Sequence, residues 1–147
     1  MTVDYRQMTS PCGLDCFNCP AHLAMEDSEQ RARWAEITGK SLEGAFCRGC
    51  RDEGGAISLF GRTEPCAVWT CIHGKGHEHC CECADFPCDN LQPYADRAAA
   101  VPHNTKVFHL CLIKRMGLER WATEKAKDVR DAYFTAPFGS RGGTGRP

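Results

Sequence analysis

The sequence predicts a mostly α, metal-stabilised fold in which an irregular, cysteine-rich, zinc-knuckle-like region packs against several short helices. Three observations predict it. Eleven of the twelve cysteines lie between Cys12 and Cys88 in short spaced groups. The stretch from Phe46 to Asp89 has glycine-rich turns and few apolar residues in any regular period. The segments on either side carry apolar residues three and four apart, which is the period of a helix.

Taken in order, Pro20 directly after Cys19 suits the first turn of a helix that Ala21, His22, Leu23, Ala24 and Met25 continue. A second helix is expected from a cap at Asp27 or Ser28, through Trp34 and Ile37, to a stop at Gly39. Phe46 to Asp89 cannot build a core from its own side chains, so metal ligation would have to organise it. Beyond Cys88, Asp89 or Asn90 is expected to cap a helix through Leu91, Tyr94 and Ala98, ended by Pro102. Asn104 would cap the next helix, where Val107, Phe108, Leu110, Cys111, Leu112 and Ile113 predict burial and Gly117 a stop. Leu118, Trp121, Ala122, Lys125, Val129 and Tyr133 give the last helix an apolar face. The expected organisation is one domain over residues 1–135, with a metal-binding region at 12–88 and a helical C-terminal region at 89–135. A flexible tail is expected at 136–147.

Composition narrows the functional classes. No apolar run approaches the roughly 20 residues that span a bilayer. The opening Met1-Thr2-Val3-Asp4-Tyr5-Arg6 shows no basic patch followed by an apolar stretch, so a cytoplasmic address is expected. In a reducing compartment clustered thiols are more often metal ligands or catalytic groups than disulfides. The net charge of −1 gives no general pull toward nucleic acid or a membrane. Residues 1–105 hold 9 Lys and Arg against 15 Asp and Glu, and residues 106–147 hold 9 against 4. The positives of the second part are interleaved with Glu119, Glu124, Asp128 and Asp131, as on a solvated helix face.

The cysteines read Cys12-x3-Cys16-x2-Cys19, Cys47-x2-Cys50, Cys66-x4-Cys71 and Cys80-x2-Cys83-x4-Cys88. Two thiolates separated by two residues share a metal because the chain turns tightly between them and amides of the turn donate to sulfur. One such pair is a modest signal, and three together are a strong one. The first triad also marks enzymes that reduce S-adenosylmethionine, but those need a large barrel that this chain lacks the length to form. A thioredoxin-like redox pair would need a preceding βαβ unit, which is absent. The candidate ligands are Cys12, Cys16, Cys19, Cys47, Cys50, Cys66, Cys71, Cys80, Cys83 and Cys88. Cys81 has no spacing partner, and Cys111 reads as a small core side chain. Ten is not a multiple of four, so His22 and one of His73, His77 or His79 are candidates to complete three sites. Asp15, Glu82 and Asp85 sit among the thiols and read as solvated acids.

These residues resemble a prokaryotic family catalogued as domain of unknown function 3795. The resemblance rests on Cys12-Gly13-Leu14-Asp15-Cys16-x2-Cys19-Pro20, on Cys47-x2-Cys50 and on Cys80-x2-Cys83-x-Asp85-Phe86-Pro87-Cys88. It extends to Pro102-His103-Asn104, Leu110-Cys111-Leu112-Ile113 and Met116-Gly117-Leu118-Glu119-x-Trp121, while Cys81 departs from the pattern. It implies a cysteine-rich metal-binding domain, usually supposed to hold zinc, with no reaction assigned. The leading expectation is a structural or protein-interaction module with two or three zinc ions and a protein partner. One alternative is an electron-transfer protein with one or two iron–sulfur clusters. Another is a small enzyme with an open zinc site. His103 and Asn104 are read as a helix cap or a small-ligand site.

Overall fold

The computed structural model describes residues 2–140, which are mostly helical and contain no β-strand beyond one antiparallel bridge between Thr9 and Asp15. The α-helices are α1 (Pro20–Leu23), α2 (Ser28–Thr38), α3 (Ala67–Lys75), α4 (Lys106–Met116), α5 (Leu118–Glu124) and α6 (Ala126–Thr135). Short 3-10 turns connect many of them. Among the described residues no helix is long and apolar enough to cross a membrane. Of the expected tail at 136–147, residues 141–147 lie outside the described residues.

The two N-terminal helices follow their local signals. Pro20 opens α1. The Asp27 carboxylate accepts from the amides of Glu29 and Gln30 at 2.9 and 3.1 Å, and Gly39 closes α2 in the left-handed region that a glycine adopts without steric cost. α3 departs from expectation, because it lies within the stretch read as irregular. The Cys66 sulfur accepts from Trp69 N–H at its start, and Gly76 ends it. Its Val68 and Ile72, four residues apart, face inward, and Leu59 upstream is buried too. The cysteine-rich stretch thus contributes apolar side chains to the core.

Three further expectations are corrected. The helix expected through Leu91 and Ala98 is only a 3-10 turn, Asp89–Leu91, because Pro93 drives Gln92 into extended backbone with ψ 142°. The last helix breaks at Lys125 into α5 and α6. Asn104 caps nothing: its amide exchanges two 3.1 Å hydrogen bonds with the Tyr94 backbone. His103 stacks on the Tyr94 ring, with centroids 4.1 Å apart. That pair fastens the loop over the start of α4.

The larger core gathers around Trp121 and Leu110, both fully buried, with Val68, Ile72, Leu91, Ile113, Ala122 and Ala126. Each buried aliphatic side chain stabilises by roughly 1.5–3 kcal/mol. The inward stripe of α4 is His109, Leu110 and Ile113, which turns Phe108 and Cys111 outward. Cys111 is therefore exposed rather than a core side chain, whereas Cys81 is buried in this core. Trp121 Nε1 donates to His109 Nδ1 at 2.8 Å, so the neutral imidazole carries its proton on Nε2, which is buried without a partner. Burial pushes His109 down to about 4. A smaller core of Ala21, Cys47 and Leu59, with Trp34 and Ile57 against it, lies beneath the N-terminal helices.

Candidate metal centre

The first group of thiols grows from a tight loop. Ser10 closes it by accepting from the Gly13 amide at its carbonyl and from the Leu14 amide at its hydroxyl, and Ser10 Oγ lies 3.1 Å from Cys12 Sγ. Gly13, at φ +91°, is required there, since a Cβ would lie 2.9 Å from Leu110 Cγ. A 3-10 turn carries Cys16 to Cys19, with Cys19 N–H donating to Cys16 O at 2.9 Å. The second pair is drawn alongside by Cys47 N–H, which donates to Ala21 O at 2.9 Å. Within that turn Gly49 N–H donates to Cys47 Sγ at 3.3 Å, an amide-to-sulfur bond of the kind that zinc knuckles also use. A Cβ on Gly49 would sit 3.8 Å from Cys16 Sγ and 3.9 Å from His22 Nδ1, so the two Cys-x2-Cys turns are neighbours.

Cys66 joins this group through the backbone, because Gly55 N–H donates to Cys50 O and Cys66 N–H donates to Gly55 O. Beside Cys50, Arg51 donates to Thr9 O and Glu78 O and so ties the N-terminal loop to the segment before Cys80. Six sulfurs, those of Cys12, Cys16, Cys19, Cys47, Cys50 and Cys66, form this neighbourhood, and Cys12 also borders Cys80 of the second group.

The second group has four. Cys71 comes from α3, Cys80 and Cys83 from one 3-10 turn, and Cys88 from the start of another. All four line one cavity of about 20 Å³, walled by Val68, Ile72, Phe86 and Leu91. That volume suits one water-sized guest. Cys80 N–H donates to Pro11 O at 2.9 Å, which sets this group beside Cys12. At the rim the Lys75 ammonium lies 3.1 Å from both Cys83 Sγ and the Asp85 carboxylate, and those hydrogen bonds raise its pKa.

Burial makes Cys16, Cys47, Cys50 and Cys80 hard to ionise. Cys16 and Cys50 are held far above the ordinary thiol range, first by burial and then by neighbouring thiols. Cys47 is pushed up to about 12 chiefly by burial, against the pull of Gly49 N–H. Cys80 is pushed to about 12 by burial and then by Cys12, Cys88 and Cys71. Among the described residues no three Cys, His, Asp or Glu side chains yet converge on one point as an ion's ligands do. The two groups are neighbourhoods rather than assembled coordination spheres.

The histidines divide. His22 lies beside the Cys47–Cys50 turn, and its Nδ1 is 2.9 Å from Cys47 O, to which the neutral ring can only donate, with its lone pair on Nε2. His73 stacks on Trp69, His77 faces Glu82, and His79 is buried between Arg51 and Glu82. The acids are engaged as well. Asp85 meets Lys75, and Glu82 accepts from the amides of Glu78 and His79. Asp15, expected to be solvated, is fully buried and bonded by Arg130 of α6, with Arg130 Nη2 to Asp15 Oδ1 at 2.7 Å. Arg130 itself is 8% exposed, so this ion pair is sealed from solvent. Sequence reading missed it because the partners lie 115 residues apart.

Fold and site together define a small, mostly helical, cysteine-rich protein whose thiols gather in two groups. The chain belongs to the family described as protein of unknown function DUF3795, which it matches over residues 8–93. The match ends before α4, so the closing segment from Pro102 to Trp121 lies beyond it. No curated protein and no solved structure matches the chain.

Proposed function

We propose that the protein is a zinc-binding structural module with two closed four-thiol sites. Cys71, Cys80, Cys83 and Cys88 hold one ion. The paired turns Cys16/Cys19 and Cys47/Cys50 hold the other. The observation that carries the reading is the four-cysteine cavity of about 20 Å³, built from three separate parts of the sequence. An ion there would offset the ionisation cost that burial imposes on Cys80, drawing the four sulfurs to about 2.3 Å and releasing protons. Ten thiols then divide into six and four. In the larger group Cys12 and Cys66 are left beside Cys50, one against the Ser10 hydroxyl and the other accepting from Trp69 N–H. Asp15 and Asp85 are paired with Arg130 and Lys75, and Glu53 and Glu82 accept from backbone amides, which favours a structural role over an open hydrolytic site.

The test is elemental analysis and visible absorption of protein purified without oxygen. Two zinc ions per chain and a colourless solution are expected. Cys88→Ser should lose one equivalent and keep the other. Stoichiometric iron and sulfide in a brown solution would overturn the zinc assignment, and three zinc ions would bring Cys12 and Cys66 back as ligands.

A further inference from the structure

Away from the thiols, a groove of about 840 Å³ lies between α2, the Ser58–Phe60 turn, residues 97–101 and the end of α6. None of the ten candidate ligands lines it. Its α2 wall is one helix face, formed by residues 30, 33, 34, 37 and 38. Trp34, Ile37, Leu59, Phe60, Val101 and Phe134 make an apolar trough, in which Ile37 is 62% exposed and Phe134 44%. Trp34 and Phe60 pack edge to face at 6.0 Å and fix its shape.

The charge in the groove has one sign. Arg33, Lys40 and Arg97 line it, and no carboxylate does among the described residues. Neither Arg33 nor Lys40 forms an ion pair among those residues, and the one acid near Arg97 is its sequence neighbour Asp96, at 4.0 Å. Arg97 also sits at φ +57°, a left-handed conformation uncommon outside glycine, so the backbone bears strain at one of the three cations.

We propose that this groove binds a small amphipathic anion, with an aliphatic body in the trough and a carboxylate-type head among Arg33, Lys40 and Arg97. Its volume lies within the range of small-ligand pockets, and its fifteen lining residues fall short of the roughly 20–30 a side in a stable protein interface. The site is independent of the metal reading.

The probes are octanoate, 1-octanol and octylammonium, titrated into the full chain by calorimetry and followed by amide NMR shifts. Octanoate should bind about tenfold more tightly than octanol, as charge-assisted hydrogen bonds to the head require. Octylammonium should be weakest, and the shifts should fall on α2 and residues 97–101. In the double variant Arg33→Gln/Lys40→Gln, whose sites are exposed, the preference for the acid should vanish while octanol binding persists. Ile37→Glu should abolish octanoate binding. Equal binding of acid and alcohol by the unaltered protein, shifts elsewhere, or no octanoate binding would each overturn the proposal. So would an acidic amphipathic peptide that occupies the groove where octanoate does not.

Discussion

Trp121 and Cys50 mark two centres of the molecule that are ordered by different means. Around Trp121, helices α4 to α6 bury side chains at helical spacing against one another and against Val68, Ile72 and Leu91. Around Cys50 the chain is turns, positive-φ glycines and sulfur atoms, joined by backbone hydrogen bonds between distant segments. Burial of apolar side chains orders the first centre. The second has a small apolar core of its own, Ala21, Cys47 and Leu59, and on the proposed reading zinc would add to it. The difference teaches that one short chain can rest on two kinds of stabilisation, coupled where Gly13 meets Leu110 and Asp15 meets Arg130.

Metal removal should separate the two centres most strongly. On the proposed zinc reading, a chelator under anaerobic, reducing conditions is expected to erase amide signals of residues 12–88, where a structural zinc would contribute on the order of 10 kcal/mol, while helical signals of 106–135 persist. Simultaneous loss of both sets would break the contrast and show a single cooperative unit.

The link between the centres comes next. Arg130→Met strands the Asp15 carboxylate away from water and should cost about 3–5 kcal/mol in denaturant titration. Replacing both partners together, Asp15→Leu with Arg130→Met, should cost far less. Equal losses in the single and double variants would show that the pair is not the tie described here.

The helical centre has its own pH signature. Because burial holds His109 at about 4, below the usual 6.5, the unfolded chain binds the extra proton first. Stability from this residue is therefore complete above pH 6.5 and declines as pH falls toward 4, by about 3 kcal/mol in all. His109→Gln keeps an acceptor for Trp121 Nε1 and should flatten that slope. An unchanged slope would place the acid sensitivity elsewhere.

The smallest effect concerns the cysteine outside the ladder. Cys111→Ser lies on the exposed face of α4 and should change stability by less than about 0.5 kcal/mol and leave metal content unaltered. Loss of a zinc equivalent would redraw the boundary between the centres.

Much of the fold could be read where the determinants were local. Asp27 and Gly39 delimit α2 in the sequence as they do in the structure, and Pro20 announces α1. α3 was hidden because its caps are Cys66 and Gly76, residues that also read as ligand and turn. Pro93 argued against a helix at Leu91–Ala98, and the apolar spacing around it masked that signal. At the candidate site, the sequence yields the thiols and their short-range pairs. It does not show which distant thiols lie side by side, since that depends on Cys80 reaching Pro11 and Cys66 reaching Gly55. Nor could Asp15 be told from a solvated acid, because burial of a carboxylate is decided by a base in the last helix.

The Asp15–Arg130 bond sets where this protein can be cut. A fragment trimmed to the matched residues 8–93 would keep every clustered thiol and lose the guanidinium that neutralises an acid next to Cys16. That acid would be left buried without its counter-charge, and the first Cys-x2-Cys turn would lose its footing. The shortest piece fit for binding experiments therefore runs through Arg130, well past the point where resemblance to the family stops.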